Sequence, residues 1–308
     1  MSTTHRPAAE ADEPALRALW AEVFGPAPVA ALWERDEDRH ARTLVTTEGG
    51  RLVAALHFEP RPVRTAPEGA PARVACLGGV ATLPGARGRG HVRRMLGLAV
   101  ARMADDGCAW SLLFTGTPRV YEGAGWTTYK APAREGPLAA PPRAPGGVRV
   151  ATAADLPALA RLRTAYDATR PLTTVRTPAD WHHRVPAWYP PATTTTLVTS
   201  DGTGYLTLRH HTGPGTATLE EAALADPADT PTLTRLLTAA AHHARLTGHH
   251  HARTHLPRAL TPALPAFLAT SRAVPRRTGM TRPLTATPEE IRATVTARGA
   301  AHWYGDSF

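Results

Sequence analysis

Residues 80–96 read VATLPGARGRGHVRRML, and the reading of this stretch decides the fold. Arg87, Arg89, His91, Arg93 and Arg94 cluster around Gly88 and Gly90. A solvated basic face, a nucleic-acid patch or an anion-binding turn at a helix mouth would each account for the arginines. Only the last accounts for the glycines, which weaken a helix interior but let backbone approach an anion closely. Val92, Met95, Leu96, Ala99 and Met103 recur at helical spacing, which predicts a helix from about His91. The apolar run ARVACLGGVATL (72–83) before it reads as a buried strand. Arg87–Gly90 then form a strand-to-helix turn, where the first helical N–H groups are unpaired and the macrodipole is positive. Such a turn suits a diphosphate, with the arginines adding charge-assisted donors.

Working outward, AWSLLFTG (109–116) reads as a second buried strand after the helix, with a short helix beginning at Pro118. Strand, helix, strand in that order implies a βαβ crossover in an α/β or α+β layered domain. The pattern occurs twice. ADEPALRAL (11–19) is echoed by ADLPALARL (154–162), each with an Asp suited to capping and a Pro in the first turn. LVTTEGG (44–50) is echoed by LVTSDGTG (197–204), a β-run ending in a hairpin signal. Two ordered matches predict a tandem duplication. The boundary falls in the Pro/Gly/Ala-rich stretch APAREGPLAAPPRAPGG (131–147). The expected domains are therefore 1–133, a linker over 134–147, 148–285, and a helix with tail over 286–308.

Composition bounds the rest. At 308 residues the chain is comfortable for two domains, and its 43% apolar content is ordinary for a globular protein. The formal charge of +9 comes almost wholly from arginine, since Lys130 is the one lysine, and the arginines are spread along the chain. That distribution argues against a nucleic-acid partner. No apolar run spans a bilayer and the N-terminus has no apolar secretion signal, so the expected location is the cytoplasm, with no membrane partner. Cys76 and Cys108 are too isolated for a disulfide framework or a zinc site. His249, His250, His251 and His255 are the one tempting metal cluster, but adjacent side chains diverge, and no metal is expected.

VATLPGARGRGHVRRML resembles the acyl-CoA-binding motif of the GNAT acyltransferases, with Arg87, Gly90 and Val92 at its three defining positions. Val92 departs from the small residue usual there. The tandem layout, together with LLFTGTPRVYEGAGWTTY (112–129), is similar to the enhanced intracellular survival (Eis) family over about residues 1–285. No counterpart of that family's sterol-carrier-like third domain is expected within these 308 residues.

The resemblance implies two GNAT-like domains, each a mixed sheet flanked by helices. It also implies an acetyl-CoA site at Gly79, Val80, Ala81, Thr82, Arg87, Gly88, Arg89, Gly90, His91 and Gly116. The implied reaction is direct attack of an amine on the thioester, with Tyr121 as general acid and backbone donors near Gly79–Ala81. The same resemblance implies that the terminal carboxyl, here of Phe308, reaches the active site. Trp303, Tyr304 and Phe308 favour a docked tail on their own account.

His57, Glu59 and Glu122 are further candidate bases, each equally readable as an ordinary surface residue. Trp33, Asp36 and Glu37, in ALWERDEDRHAR (31–42), are candidates for the acceptor pocket. An acid-lined mouth would favour a small cationic metabolite or an aminoglycoside-like antibiotic; a solvated helix face explains the same residues. The alternatives are acylation of a peptide amine and non-catalytic acyl-CoA sensing, and a homo-oligomer is left open. In the second copy the turn is replaced by ADPADTPTLTRLL (225–237), where acids would repel a diphosphate and Asp229 or Thr230 reads as a helix cap. One acetyl-CoA per chain is expected.

Overall fold

The computed structural model describes residues 2–131, 133–141, 143–211, 215–274 and 278–308. The first half begins with β1 (Thr3–Pro7), α1 (Glu13–Phe24) and two short helices, α2 (Val29–Trp33) and α3 (Arg39–Arg42). The hairpin β2 (Thr43–Glu48) and β3 (Arg51–Val63) follows, then β4 (Ala72–Thr82), α4 (His91–Asp105), β5 (Trp110–Thr115), α5 (Arg119–Glu122) and β6 (Thr127–Tyr129). The second half starts with β7 (Arg134–Pro137), β8 (Val148–Val150), α6 (Leu156–Asp167) and α7 (Val185–Trp188). It continues through β9 (Thr194–Thr199), β10 (Gly204–His210), β11 (Thr216–Leu224), α8 (Thr230–Leu246) and β12 (His251–Thr254). The chain closes with β13 (Arg272–Ala273), β14 (Thr278–Pro283) and α9 (Pro288–Thr296).

The repeat seen in the sequence has a physical basis. Ahead of α1, the Asp12 carboxylate accepts from the Ala9 N–H at 2.8 Å and from both terminal nitrogens of Arg6 at 2.6 and 2.9 Å. Ahead of α6, Asp155 accepts from the Thr152 N–H at 2.7 Å and from Arg149 at 2.6 and 2.8 Å. Each carboxylate reaches back to the backbone three residues earlier and so fixes the entry of a helix whose first turn holds a proline.

Two seven-stranded mixed sheets result, in the orders β1-β2-β3-β4-β5-β14-β6 and β13-β7-β12-β11-β10-β9-β8. The parallel neighbours are β4 with β5 and β11 with β12, each pair connected through a long helix. Met95, Leu96, Ala99 and Met103 of α4 are buried in one core with Leu44, Leu56 and Leu77. Leu236, Leu237, Ala240 and Ala244 of α8 do the same for the second sheet.

The sheets exchange strands. β14, from late in the chain, lies between β5 and β6 of the first sheet, while β7 lies between β13 and β12 of the second. The stretch expected as a linker over 134–147 therefore begins as a strand of the second sheet; its Pro142 lies outside the described residues. Thr278–Pro283, expected within the second domain, is a strand of the first sheet. An isolated bridge between Val63 and Thr174 ties the halves further. No helix among the described residues is long and apolar enough to cross a membrane.

Candidate active site

Parallel pairing of β4 with β5 ends at Cys76 opposite Leu112, and the two strands then diverge. The cause lies in β4. Its register with β3 shifts between Ala55 and His57, leaving Gly79 and Val80 without a partner residue on β3. Gly79 has φ +59°, a left-handed backbone that favours glycine, and its carbonyl accepts from the Trp20 indole N–H at 2.8 Å. A cavity of about 560 Å³ opens in the splay, lined by Leu77–Val80, Leu113–Thr117 and Tyr121. Its far wall is Phe24, Ala27 and Val29 from the first half with Trp188, Tyr304, Ser307 and Phe308 from the second. Gly79, Val80 and Gly116 thus meet in one cavity, while Ala81 and Thr82 continue β4 toward the turn.

At that turn Gly88 has φ +77° and Gly90, the cap of α4, has φ +79°. A Cβ built on either meets nothing within 4 Å, so glycine is required by the hand of the backbone and the face beyond it is open. The first N–H groups of the 15-residue helix α4 point out of this open turn, which fits an anionic ligand. The side chains divide differently from the sequence expectation. Arg89 is held by Glu48 at 2.6 Å and donates to the Gly85 carbonyl at 2.7 Å. His91 is buried with Nε2 3.0 Å from Glu48, so what it presents to the turn is its backbone N–H and not its ring. Arg87 is exposed, donates to the Thr82 carbonyl at 3.3 Å and makes no ion pair among the described residues. It is the cation of the turn that stays available.

Tyr121 stands on the single turn α5, with its ring 6.5 Å from that of Trp126, and is 8% exposed. Burial pushes its phenol up to about 12, against a smaller pull from the Thr115 hydroxyl. At neutral pH it therefore carries its proton.

The tail docks. Trp303 is buried beneath the Arg163 guanidinium at 4.5 Å, and its indole N–H donates to Asp167 at 3.1 Å. Asp306 accepts from Arg176 at 2.6 Å, and the Gly305 N–H donates to the Tyr189 hydroxyl at 2.9 Å. The Ser307 carbonyl accepts from Arg184 at 2.9 Å and from the Trp188 indole at 2.7 Å. The chain is thereby delivered to Gly78, where an added Cβ would lie 2.6 Å from both the carbonyl carbon and the oxygen of Phe308. Gly78 was not among the residues singled out from the sequence, and only the approach of a segment 230 residues away explains it.

The other candidates are spoken for. Glu59 is clamped by Arg184 and by Arg61 at 3.1 Å; burial would raise its carboxyl, but the two guanidiniums hold it low. Burial takes His57 down to about 4, and its Nδ1 lies 3.1 Å from the Thr43 hydroxyl. Glu122 is exposed on α5. Trp33 packs edge-on against Trp20 at 5.3 Å and donates to Thr43 at 2.8 Å, a core role at the edge of a small cavity with His57 and Glu59. Asp36 is buried against Arg42 at 2.6 Å, and burial raises its carboxyl. Glu37 is exposed, and neither Asp36 nor Glu37 lines the main cavity. The acid-lined mouth expected from residues 31–42 is not formed. In the second half, the Asp229 carboxylate accepts from the Thr232 N–H at 2.9 Å and fills the mouth of α8 that an anion would need.

Residues 4–129 match the model of the acetyltransferase (GNAT) domain family. That match lies in the first half of the chain. The fold likeness extends over both halves. A probable N-acyltransferase from Enterococcus faecalis is similar with a TM-score of 0.66 at 16% identity, over 92% of this chain and 73% of that one. A GCN5-related N-acetyltransferase from Kribbella flavida gives 0.64 at 20% identity, over 96% and 74%. Eis1 from Mycobacterium abscessus gives 0.62 at 19% identity, over 92% and 74%. No curated protein sequence matches the chain.

Proposed function

We propose that the protein transfers an acetyl group from acetyl-CoA to an amino group of a small molecule, with one active site per chain in its first half. The observation that carries this reading is the meeting of Gly79, Tyr121 and the Phe308 carboxyl around one cavity between diverging strands. The α4 turn would hold the diphosphate through backbone N–H groups and Arg87, with Arg89 bracing the turn through Glu48. The Phe308 carboxylate takes the proton of the incoming ammonium, freeing its lone pair. Backbone donors at the β4 bulge stabilise the oxygen of the thioester carbonyl as nitrogen attacks. The carbon–sulfur bond breaks, Tyr121 gives its proton to the departing thiolate, its phenolate takes the second proton that nitrogen sheds as the amide forms, and the Phe308 carboxyl returns its proton to water.

A polycationic acceptor such as an aminoglycoside was the expectation from residues 31–42; with Asp36 and Glu37 away from the cavity, that support falls away. The test is release of CoA from acetyl-CoA across amines of different class. Binding of acetyl-CoA without release to any amine would replace the transferase reading by an acyl-CoA binder. Appending one glycine after Phe308 turns its carboxylate into a peptide bond, and the expected result is loss of turnover with coenzyme affinity kept. Full turnover in the extended chain would remove Phe308 from the mechanism.

A further inference from the structure

We propose that the acceptor is a monoamine carried on a flat apolar body, an arylalkylamine in chemical class, and that the second half of the chain supplies the wall that recognises it. This rests on the transferase reading above. On the coenzyme side the cavity is bounded by β4, β5 and Tyr121. The remaining lining is mostly apolar and rich in rings: Phe24, Trp188, Tyr304 and Phe308, with Val29 beside them, all five half-buried. The Trp188 and Tyr304 rings meet edge to face at 5.3 Å. The Trp188 indole N–H is spent on the Ser307 carbonyl, so what remains for a ligand is the apolar ring.

Charge points the same way. Among the described residues, no Asp, Glu, Lys, Arg or His side chain lines this cavity. The acids nearest in the fold are already matched: Glu59 by Arg61 and Arg184, and Asp36 by Arg42. The one anionic group is the Phe308 carboxyl, which can answer one ammonium. Each further ammonium of a polycation would lose its water with no carboxylate to replace it. An aromatic body loses nothing there, gaining ring burial and favourable edge and face contacts. A single ammonium beside aromatic faces is also favoured by their quadrupoles.

The geometry also says why a half-chain with its own anion turn blocked by Asp229 is retained. It builds the acceptor wall and carries the tail.

The experiment compares kcat/KM for phenethylamine and tryptamine with that for spermidine and kanamycin, by CoA release from the full chain. The expected preference for the arylalkylamines is about tenfold or more, as a buried ring contact would give. Trp188→Leu should raise KM for the arylalkylamines about tenfold while KM for acetyl-CoA stays put. Because Trp188 also holds Ser307, Phe24→Ala on α1, outside the tail's anchorage, provides the independent variant with the same expected KM shift. Equal or better turnover of the polycations, or an unmoved amine KM in both variants, overturns the proposal. Absence of CoA release with every amine sinks the transferase reading instead, so the two failures are distinguishable.

Discussion

A methyl group on Gly78 is the smallest change that tests the site. Gly78 has an ordinary backbone, so alanine there costs no conformational strain; it simply collides with Phe308 at 2.6 Å. The expected outcome of Gly78→Ala is a fall in kcat of about 100-fold, the usual penalty for displacing a reacting group by an ångström. Steady-state CoA release checks it, and a kcat within threefold of the parent would show that the tail's position does not matter. Tyr121→Phe removes a proton donor and should lower kcat by about 10²–10⁴. Its pH dependence has a definite sign. A phenol raised to about 12 stays protonated throughout the neutral and mildly alkaline range, so kcat/KM should show no fall from Tyr121 below pH 10. An alkaline limb between pH 8 and 10 that vanishes in Tyr121→Phe would contradict this. Tyr121 is legible through the motif around it, whereas of the Gly78-Gly79 pair the resemblance implies a role only for Gly79. The inward turn of the His91 ring is hidden for a related reason. Its neighbours are phosphate-turn residues, and nothing in sequence says that Glu48, on a hairpin 43 residues away, turns the ring inward.

Among the elements, the α4 turn is legible and the exchanged strands are not. The turn announces itself because glycine at positive φ is a local requirement and the helix after it has a clean apolar face. Gly90→Ala should therefore act on the coenzyme: alanine in a left-handed cap costs about 1–2 kcal/mol, and relaxing it tilts the first N–H groups away. The expected loss of acetyl-CoA affinity is about tenfold, read by calorimetry, and an unchanged Kd would mean that the diphosphate sits elsewhere. β7 gives no such signal. Its four residues, Arg-Glu-Gly-Pro, show no apolar alternation and read as linker. What makes them a strand is a slot in the other sheet: Gly136 lies where a Cβ would collide with the Thr270 carbonyl oxygen, and Glu135 pairs with Arg253 at 2.8 Å and Arg272 at 2.6 Å. Those partners are more than 100 residues away, beyond any local pattern. The acidic stretch 34–38 shows the converse limit. Its charges were legible, but their pairing with Arg17 and Arg42 was decided by the fold.

At the scale of the whole molecule the tail is held against the second half, as the proposed role of its last carboxyl group requires. What holds it is a buried charge cluster in the second half, in which Arg163 and Arg176 face Asp167, Glu221 and Asp306. Two cations against three carboxyls would leave a surplus negative charge in a dry interior. Burial offsets it by raising Asp167, while for Glu221 the two arginines overcome burial and hold the carboxyl low. Asp306 is 1% exposed and is the member that belongs to the tail, so it locks the last residues to the second sheet. Asp306→Asn keeps the shape and removes the charge that Arg176 needs. Breaking one side of a buried pair costs about 3–5 kcal/mol, which is comparable to what a short tail can gain by docking. The tail should release while the first sheet, its α4 turn and its cavity floor persist, since the guanidinium that Asp306 pairs with, Arg176, belongs to the second half. The expected signature is a drop in kcat of more than tenfold, acetyl-CoA affinity within a few-fold of the parent, and new protease sensitivity confined to residues 297–308. Loss of coenzyme binding together with kcat would mean that the cluster supports the whole fold and has no separate task in placing the tail.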